Sequence, residues 1–211
     1  MINNIIAIFL GYLLGSIPTA YIAGRICKGI DIRNHGSGNV GATNVFRVLG
    51  KWPGIIVLAL DIIKGIIPVV IFANIFNISD ITMRLLIAIA TISGHNWPVF
   101  LQFKGGKGVA TSLGTLIGLS IVFASFRILV FRVFLVWVFV FLFGKMVSLA
   151  SIMAGLSLPI FMFFSKFPIS AILLGIIFAV FIVLRHKQNL IRIRSGKEPK
   201  VDLFKAFNSK R

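Results

Sequence analysis

Acid is what this chain has least of. Five Asp and Glu residues stand against 22 Lys and Arg, giving a formal net charge of +17 over 211 residues. Cysteine is rarer still. Cys27 is the only one, so no disulfide forms within the chain, and with no base beside it the thiol reads as inert. Only three histidines occur, and no His, Cys, Asp and Glu cluster has metal-ligand spacing, which argues against zinc. The N-terminus has no basic stretch and no small-residue cleavage site, so 3–25 reads as a retained span rather than a signal peptide. No tandem repeat or low-complexity linker appears. The aromatic residues lie inside apolar runs instead of on a basic face, so the positive charge does not point to nucleic acid.

Hydrophobic residues make up 58% of the chain, above the 45–50% or so of a soluble domain. Apolar runs at 4–24, 54–76, 81–101, 108–126, 128–143, 147–164 and 169–184 predict an all-α, polytopic membrane protein. Roughly 20 apolar residues cross a bilayer as helix, so almost no extramembrane domain remains and 1–211 reads as a single membrane-embedded domain. With seven spans and the N-terminus outside, seventeen of the 22 basic residues fall on the inner side, nine of them in the tail from Arg185 to Arg211. Arg84, Arg127, Arg132 and Lys166 fall outside, and Lys64 lies within a span. That asymmetry matches the positive-inside tendency and puts the C-terminus in the cytoplasm. Merging the fourth and fifth runs would separate the polar segments described next. Arg127 and Arg132 leave the boundaries of those two runs open.

Three polar segments interrupt the apolar pattern. The first, at 36–44, reads Gly-Ser-Gly-Asn-Val-Gly-Ala-Thr-Asn and contains G-x-G-x-x-G, with Asp61 further on. A dinucleotide fingerprint needs a preceding strand, whereas an apolar helix precedes this one and Asp61 sits in a span. An anion is served differently: Ser37 or Asn39 caps a helix through Thr43, Asn44 and Arg47, whose free N–H groups attract negative charge. Arg47 lies one turn beyond Thr43 on the same face. The second segment, 94–111, ends in Phe-Lys-Gly-Gly-Lys-Gly-Val-Ala-Thr. Gly105, Gly106 and Gly108 let backbone N–H groups approach a phosphate, and Lys104 and Lys107 add charge. Leu101 and Gly108 break the Walker A pattern, so ATP hydrolysis is not supported. The third, 185–192, sets His186, Asn189 and Arg192 at helical spacing, followed by Glu198. Asp61 and Lys64, at i and i+3 in an apolar span, read as a structural ion pair facing the bundle interior.

Together these segments resemble the three signature motifs of the bacterial acyl-phosphate:glycerol-3-phosphate acyltransferase family (PlsY). Gly15-Ser-Ile-Pro18, Asp61-Ile-Ile-Lys64-Gly65 and Ser148-Leu-Ala-Ser151 are similar to its pattern too, so the likeness covers nearly the whole chain. The resemblance implies an enzyme of the bacterial inner membrane with its active site facing the cytoplasm. It would take acyl phosphate and glycerol 3-phosphate and yield lysophosphatidic acid and phosphate, the first step of phospholipid biosynthesis. It also implies no cofactor, no metal, no nucleic-acid partner, membrane lipids as surroundings, and a monomer. By matched position, Ser37, Arg47, Lys104, His186 and Asn189 would hold glycerol 3-phosphate or support transfer. Asn39, Thr43, Asn44 and Lys104, Gly105, Gly106, Lys107 and Gly108 would hold acyl phosphate, and Arg192 and Glu198 would complete the substrate-binding set.

The residues speak to mechanism by themselves. No histidine has an Asp five positions on, so the His-x-x-x-x-Asp dyad of other glycerolipid acyltransferases is absent. No Ser or Cys is paired with a base, which argues against a covalent acyl-enzyme. Direct attack on a pre-activated donor is then the simplest chemistry, with His186 or the substrate's own phosphate as base. An organophosphate transporter and a structural membrane subunit are the rival classes. The transporter is disfavoured by the crowding of polar motifs on one face and the lack of an inverted repeat.

Overall fold

Each of the seven apolar runs carries a helix in the computed structural model, which describes residues 1–201. No strand occurs among the described residues. The chain divides into two units, Met1–Arg127 and Ile128–Arg211.

In the first unit α1 (Ile2–Gly15) and α2 (Thr19–Lys28) form one apolar stretch interrupted at Pro18, which has no N–H to continue a helix. A short 3-10 turn (Ile32–Asn34) leads to α3 (Ala42–Leu49) and then to α4 (Lys51–Ile67). Pro53 is tolerated in the first turn of α4, where its missing N–H has no intrahelical partner to lose. At Pro68 the backbone widens into a π-helical turn (Pro68–Phe72) before the short α5 (Ala73–Ile75). The residue that stabilises this region is Arg84, buried on α6 (Ile81–Asn96). It donates to Val69 O at 2.8 Å, to Ile78 O at 2.8 Å and to Asn74 Oδ1 at 2.7 Å. So Arg84, counted with the outer charges in the sequence, is a buried brace. Asp80 caps α6, its carboxylate accepting from Met83 N.

Two close crossings set the unit's core. On α1, a Cβ at Gly15 would collide with the backbone of Thr91, and one at Gly94 of α6 would collide with Tyr12 O. Likewise Gly65 of α4 lies against Thr111 O, and Gly114 of α7 (Val109–Val122) lies against Ile62 O. Small residues let backbones meet where apolar burial alone gives little drive between helices in lipid. Phe123 then takes an extended backbone, so the fourth and fifth apolar runs are separate helices.

The second unit holds most of α8 (Ala124–Gly144), α9 (Val147–Phe164), α10 (Ile169–Arg185) and α11 (Lys187–Arg194). From α8, Arg132 reaches Ser165 Oγ at 3.2 Å and the Trp137 indole donates to Ser151 Oγ at 3.3 Å. Gly155 on α9 is covered by Ile182 of α10, and Gly175 on α10 by Met162 of α9.

By length and apolarity four stretches suffice to cross a membrane: Ile2–Lys28, Lys51–Ile75, Ala124–Gly144 and Val147–Phe164. A fifth appears if the bent pair α10 and α11 counts as one. Helices α6 and α7, at 16 and 14 residues, are shorter than the runs implied, because 97–108 leaves the helix to form the glycine loop and α7 stops at the extended Phe123. Lys205, Lys210 and Arg211, counted in the charge asymmetry, lie outside the described residues.

Candidate functional site

The first polar segment begins with a local lock. Asp31 caps the 3-10 turn by accepting from Arg33 N at 3.0 Å, and its carboxylate also takes the Arg33 guanidinium at 2.6 Å. Hydrogen bonds from the Arg33 side chain hold the Asp31 carboxyl down, to about 2, against a smaller opposing effect of burial. The loop beyond turns at Gly36 and Gly38, with φ of 62° and 70°. Asn44 supports it from within. Its Oδ1 accepts from Ser37 N at 2.8 Å, and its Nδ2 donates to His35 O at 3.0 Å and Ile32 O at 3.3 Å. With 1% of its surface exposed and its amide fully engaged by backbone, Asn44 shapes the loop. Helix α3 starts after Gly41, and no side chain caps it, so neither Ser37 nor Asn39 acts as its cap. Ser37, Thr43 and Arg47 are exposed, Asn39 is half-buried, and Thr43 and Arg47 share a face of α3.

The second segment is a tight loop resting on the end of α6. Gln102 and Phe103 take positive φ, 53° and 61°, an uncommon conformation for side-chain-bearing residues. Gly106 N donates to His95 O at 3.1 Å. A Cβ at Gly105 would strike His95 O, and one at Gly106 would strike the His95 ring and the carbonyl of Val40. Gly108 has φ of 75° and abuts the Asn96 amide, so none of the three glycines has room or conformation for a side chain. Lys104 is exposed and Lys107 half-buried on either side. The first and second segments therefore meet in the first unit, at Val40 and Gly106.

Behind that junction lies a buried polar cluster. Asp61 accepts from Lys64 Nζ at 2.8 Å and from Thr19 Oγ1 at 2.7 Å, and His95 Nδ1 is 3.7 Å away. Lys64 also donates to Ile17 O at 2.9 Å, one of the carbonyls at the helix break before Pro18. The ion pair expected from the sequence is present, within a larger set. A narrow cleft of about 180 Å³, counting solvent at its mouth, is lined by Ser16, Thr19, Val40, Lys64, His95 and Gly105 among others.

The third segment is organised around Glu198 in the second unit. Ser148 Oγ and Asn189 Nδ2 each donate to its Oε1 at 2.6 Å, and Arg192 Nε donates to its Oε2 at 2.8 Å. Burial alone would raise the Glu198 pKa, but these three donors outweigh it and hold the carboxyl below its ordinary value. Glu198 thus ties α9 to α11 and fixes two neighbouring residues of the candidate set. His186 is buried at the end of α10, with Nδ1 at 2.8 Å from Ile182 O. A carbonyl only accepts, so Nδ1 carries a proton and a neutral ring keeps its basic lone pair on Nε2.

Sequence reading overlooked Thr19, Asp31 and Asn96 as members of these clusters. Thr19 carries no signal because its partner Asp61 is brought to it by folding, whereas Asp31, two residues before Arg33, carries the local signal of a helix cap. Asn96 lay inside the second segment without being singled out. It is fully buried, and neither of its amide atoms has a hydrogen-bond partner among the described residues.

Comparison with known proteins gives a consistent result. The family model described as glycerol-3-phosphate acyltransferase matches residues 5–196. A glycerol-3-phosphate acyltransferase of Aquifex aeolicus (strain VF5) is 43% identical over 191 residues, covering 90% of this chain and 95% of its own. One from Prochlorococcus marinus (strain NATL1A) is 41% identical over 202 residues, covering 94% of this chain and 98% of its own. Among solved structures, the glycerol 3-phosphate form of PlsY (YgiH), an integral membrane glycerol 3-phosphate acyltransferase, has a TM-score of 0.84 at 38% identity, covering 98% of this chain and 99% of that one. Its lysophosphatidic acid form has a TM-score of 0.83 at the same identity, covering 97% and 98%.

Proposed function

The chain belongs to the glycerol-3-phosphate acyltransferase family, and from that premise we propose that it moves an acyl group from acyl phosphate to the 1-hydroxyl of glycerol 3-phosphate. The hydroxyl oxygen bonds to the acyl carbon, the carbon–oxygen bond to phosphate breaks, and the hydroxyl proton passes to a base. The products are lysophosphatidic acid and inorganic phosphate. No acyl-enzyme is formed, because a mixed anhydride is activated before it arrives.

One observation carries this reading: a loop of three space-restricted glycines at the start of α7, flanked by Lys104 and Lys107, abuts the Gly36–Gly41 loop at Val40. Backbone N–H groups at a helix start and nearby ammonium groups suit a phosphate, and they suit the charge that develops as phosphate departs. On this reading the loop from Lys104 to Gly108, with Asn39 and Thr43, holds acyl phosphate. Ser37, Arg47 and Lys104 act on glycerol 3-phosphate, together with His186 and Asn189 of the second unit. His186 Nε2, or a substrate phosphate, takes the proton. Asn44 and Glu198 shape the loops that carry these groups, and Arg192 steadies Asn189 through Glu198. The proposal extends to seven crossings of the bacterial inner membrane, an outer N-terminus, a cytoplasmic site and a monomeric enzyme.

The test is purified, detergent-solubilised protein with glycerol 3-phosphate and either acyl phosphate or acyl-CoA. Lysophosphatidic acid should form with acyl phosphate. Product from acyl-CoA alone would overturn the choice of donor, and no product from either would overturn the activity. Lys104→Ala should lower kcat/KM roughly 100-fold or more, a loss in keeping with removal of one charge-stabilising donor, and Lys107→Ala much less. Equal small losses would reduce both lysines to surface charge.

A further inference from the structure

The buried cluster behind the glycine loop is larger than an ion pair needs to be. Lys64 alone neutralises Asp61, and Thr19 occupies another acceptor site on the same carboxylate oxygen. Yet that oxygen also faces His95 Nδ1 at 3.7 Å, from a different helix. The opposite edge of the same ring, at Nε2, rests against Gly106 so closely that a methyl group there would not fit. The backbone of His95 holds the loop as well, its carbonyl accepting from Gly106 N at 3.1 Å. One residue therefore touches a carboxylate inside the span with one ring edge and the phosphate-type loop with the other.

We propose that Asp61, acting through His95, is a positioning residue that sets the backbone of the glycine loop. Fixing the ring at Nδ1 fixes where Nε2 sits, and with it how far Gly106 approaches Val40. Lys64 permits the arrangement by cancelling a charge that lipid-facing helices would not otherwise tolerate. Its second bond, to Ile17 O, anchors the same cluster to the break between α1 and α2. Asp61 touches no substrate. Its effect reaches the reaction only through the loop, so the proposal rests on the reading of that loop as the acyl-phosphate cradle.

The decisive variant is Asp61→Asn/Lys64→Met, which leaves no unpaired buried charge and nearly preserves volume. It is reconstituted in lipid nanodiscs beside the unaltered protein. Two quantities are read: hydrogen–deuterium exchange of the 104–108 segment, and kinetics with each substrate varied in turn. Exchange of the loop should quicken, and KM for acyl phosphate should rise about tenfold with KM for glycerol 3-phosphate within twofold. A merely structural pair predicts something else, a smaller active fraction that lowers kcat and leaves both KM values alone. That outcome, or loop exchange at the unaltered rate, overturns the proposal. If the double variant does not fold, His95→Phe keeps the Asp61–Lys64 pair and a ring over Gly106 while cutting the link, with the same two readouts. Should the unaltered protein show no turnover at all, the functional reading fails, and the exchange of the loop alone then decides the linkage.

Discussion

At the scale of single residues, two side chains named by sequence as substrate contacts turn out to be committed elsewhere. Asn44 spends its amide on Ser37 N, His35 O and Ile32 O. Asn44→Leu leaves those backbone groups unpaired at a buried position, so thermal unfolding should show a loss of about 2–3 kcal/mol, with Ser37-dependent activity falling alongside. A fully stable Asn44→Leu protein would mean the loop is held by other contacts. Glu198 is the second case. Glu198→Gln keeps the shape but sets an amide donor against Ser148, Asn189 or Arg192, each of which donates to Glu198. A loss of about 1.5–3 kcal/mol in stability is expected, with Asn189 freed from its place. The sign with pH follows from the lowered folded pKa. The carboxylate's contribution is complete above its ordinary 4.5 and fades as pH falls through the lower value it has when folded. The wild-type protein should therefore become less stable on acidification in that window, and Glu198→Gln should lose that part of the dependence. Identical acid melting curves for the two would remove Glu198 as the organiser of the third segment.

At the scale of elements, the apolar runs were legible because length and composition alone mark a helix that must satisfy its own backbone in lipid. What those runs hide is each place where tertiary partners stand in for regular helix bonds. The break at Pro18 relies on Lys64 reaching Ile17 O, and the region after Pro68 relies on Arg84, whose three acceptors all lie outside its own helix. Composition cannot reveal such partners, so the count of basic residues gives Arg84 a side of the membrane and not its role as a brace. The start of α3 differs for another reason: the glycine loop runs on to Gly41 before the helix begins, which leaves Ser37 and Asn39 upstream of the N-cap position. The polar segments themselves were legible, since clusters of glycine and cations stand out in an apolar chain. Their Cβ-free geometry against His95 and Val40 was not. Arg84→Met should destabilise the first unit by about 3 kcal/mol or more, because it orphans buried acceptors together. Gly114→Val, driving a side chain into Ile62 O, should cost about 1–3 kcal/mol by overpacking the α4–α7 crossing. Thermal unfolding in a single detergent checks both, and a neutral Gly114→Val would show that the crossing has slack.

At the scale of the whole molecule, charge sets the expected sidedness. Short loops rich in Lys and Arg favour the cytoplasmic side of a membrane, and here the basic residues are concentrated in a few segments. The loop around Lys104 and the start of α11 at Lys187 should then be cytoplasmic, and the turns at Asn77 and Lys166 external. Because Cys27 is the only cysteine and is exposed, Cys27→Ser provides a blank background. Single cysteines at positions 77, 104, 166 and 187 can be probed with a membrane-impermeant maleimide, applied to intact cells and to inverted vesicles. Positions 77 and 166 should react in cells and positions 104 and 187 only in inverted vesicles. A split in which 104 reacts from one side and 187 from the other would demand an odd number of crossings between them, one more or one fewer than the four that α7, α8, α9 and α10 supply. The functional reading would then fail on topology, whatever the local geometry of each segment, because a phosphate bound at Lys104 could not be reached by a base at His186.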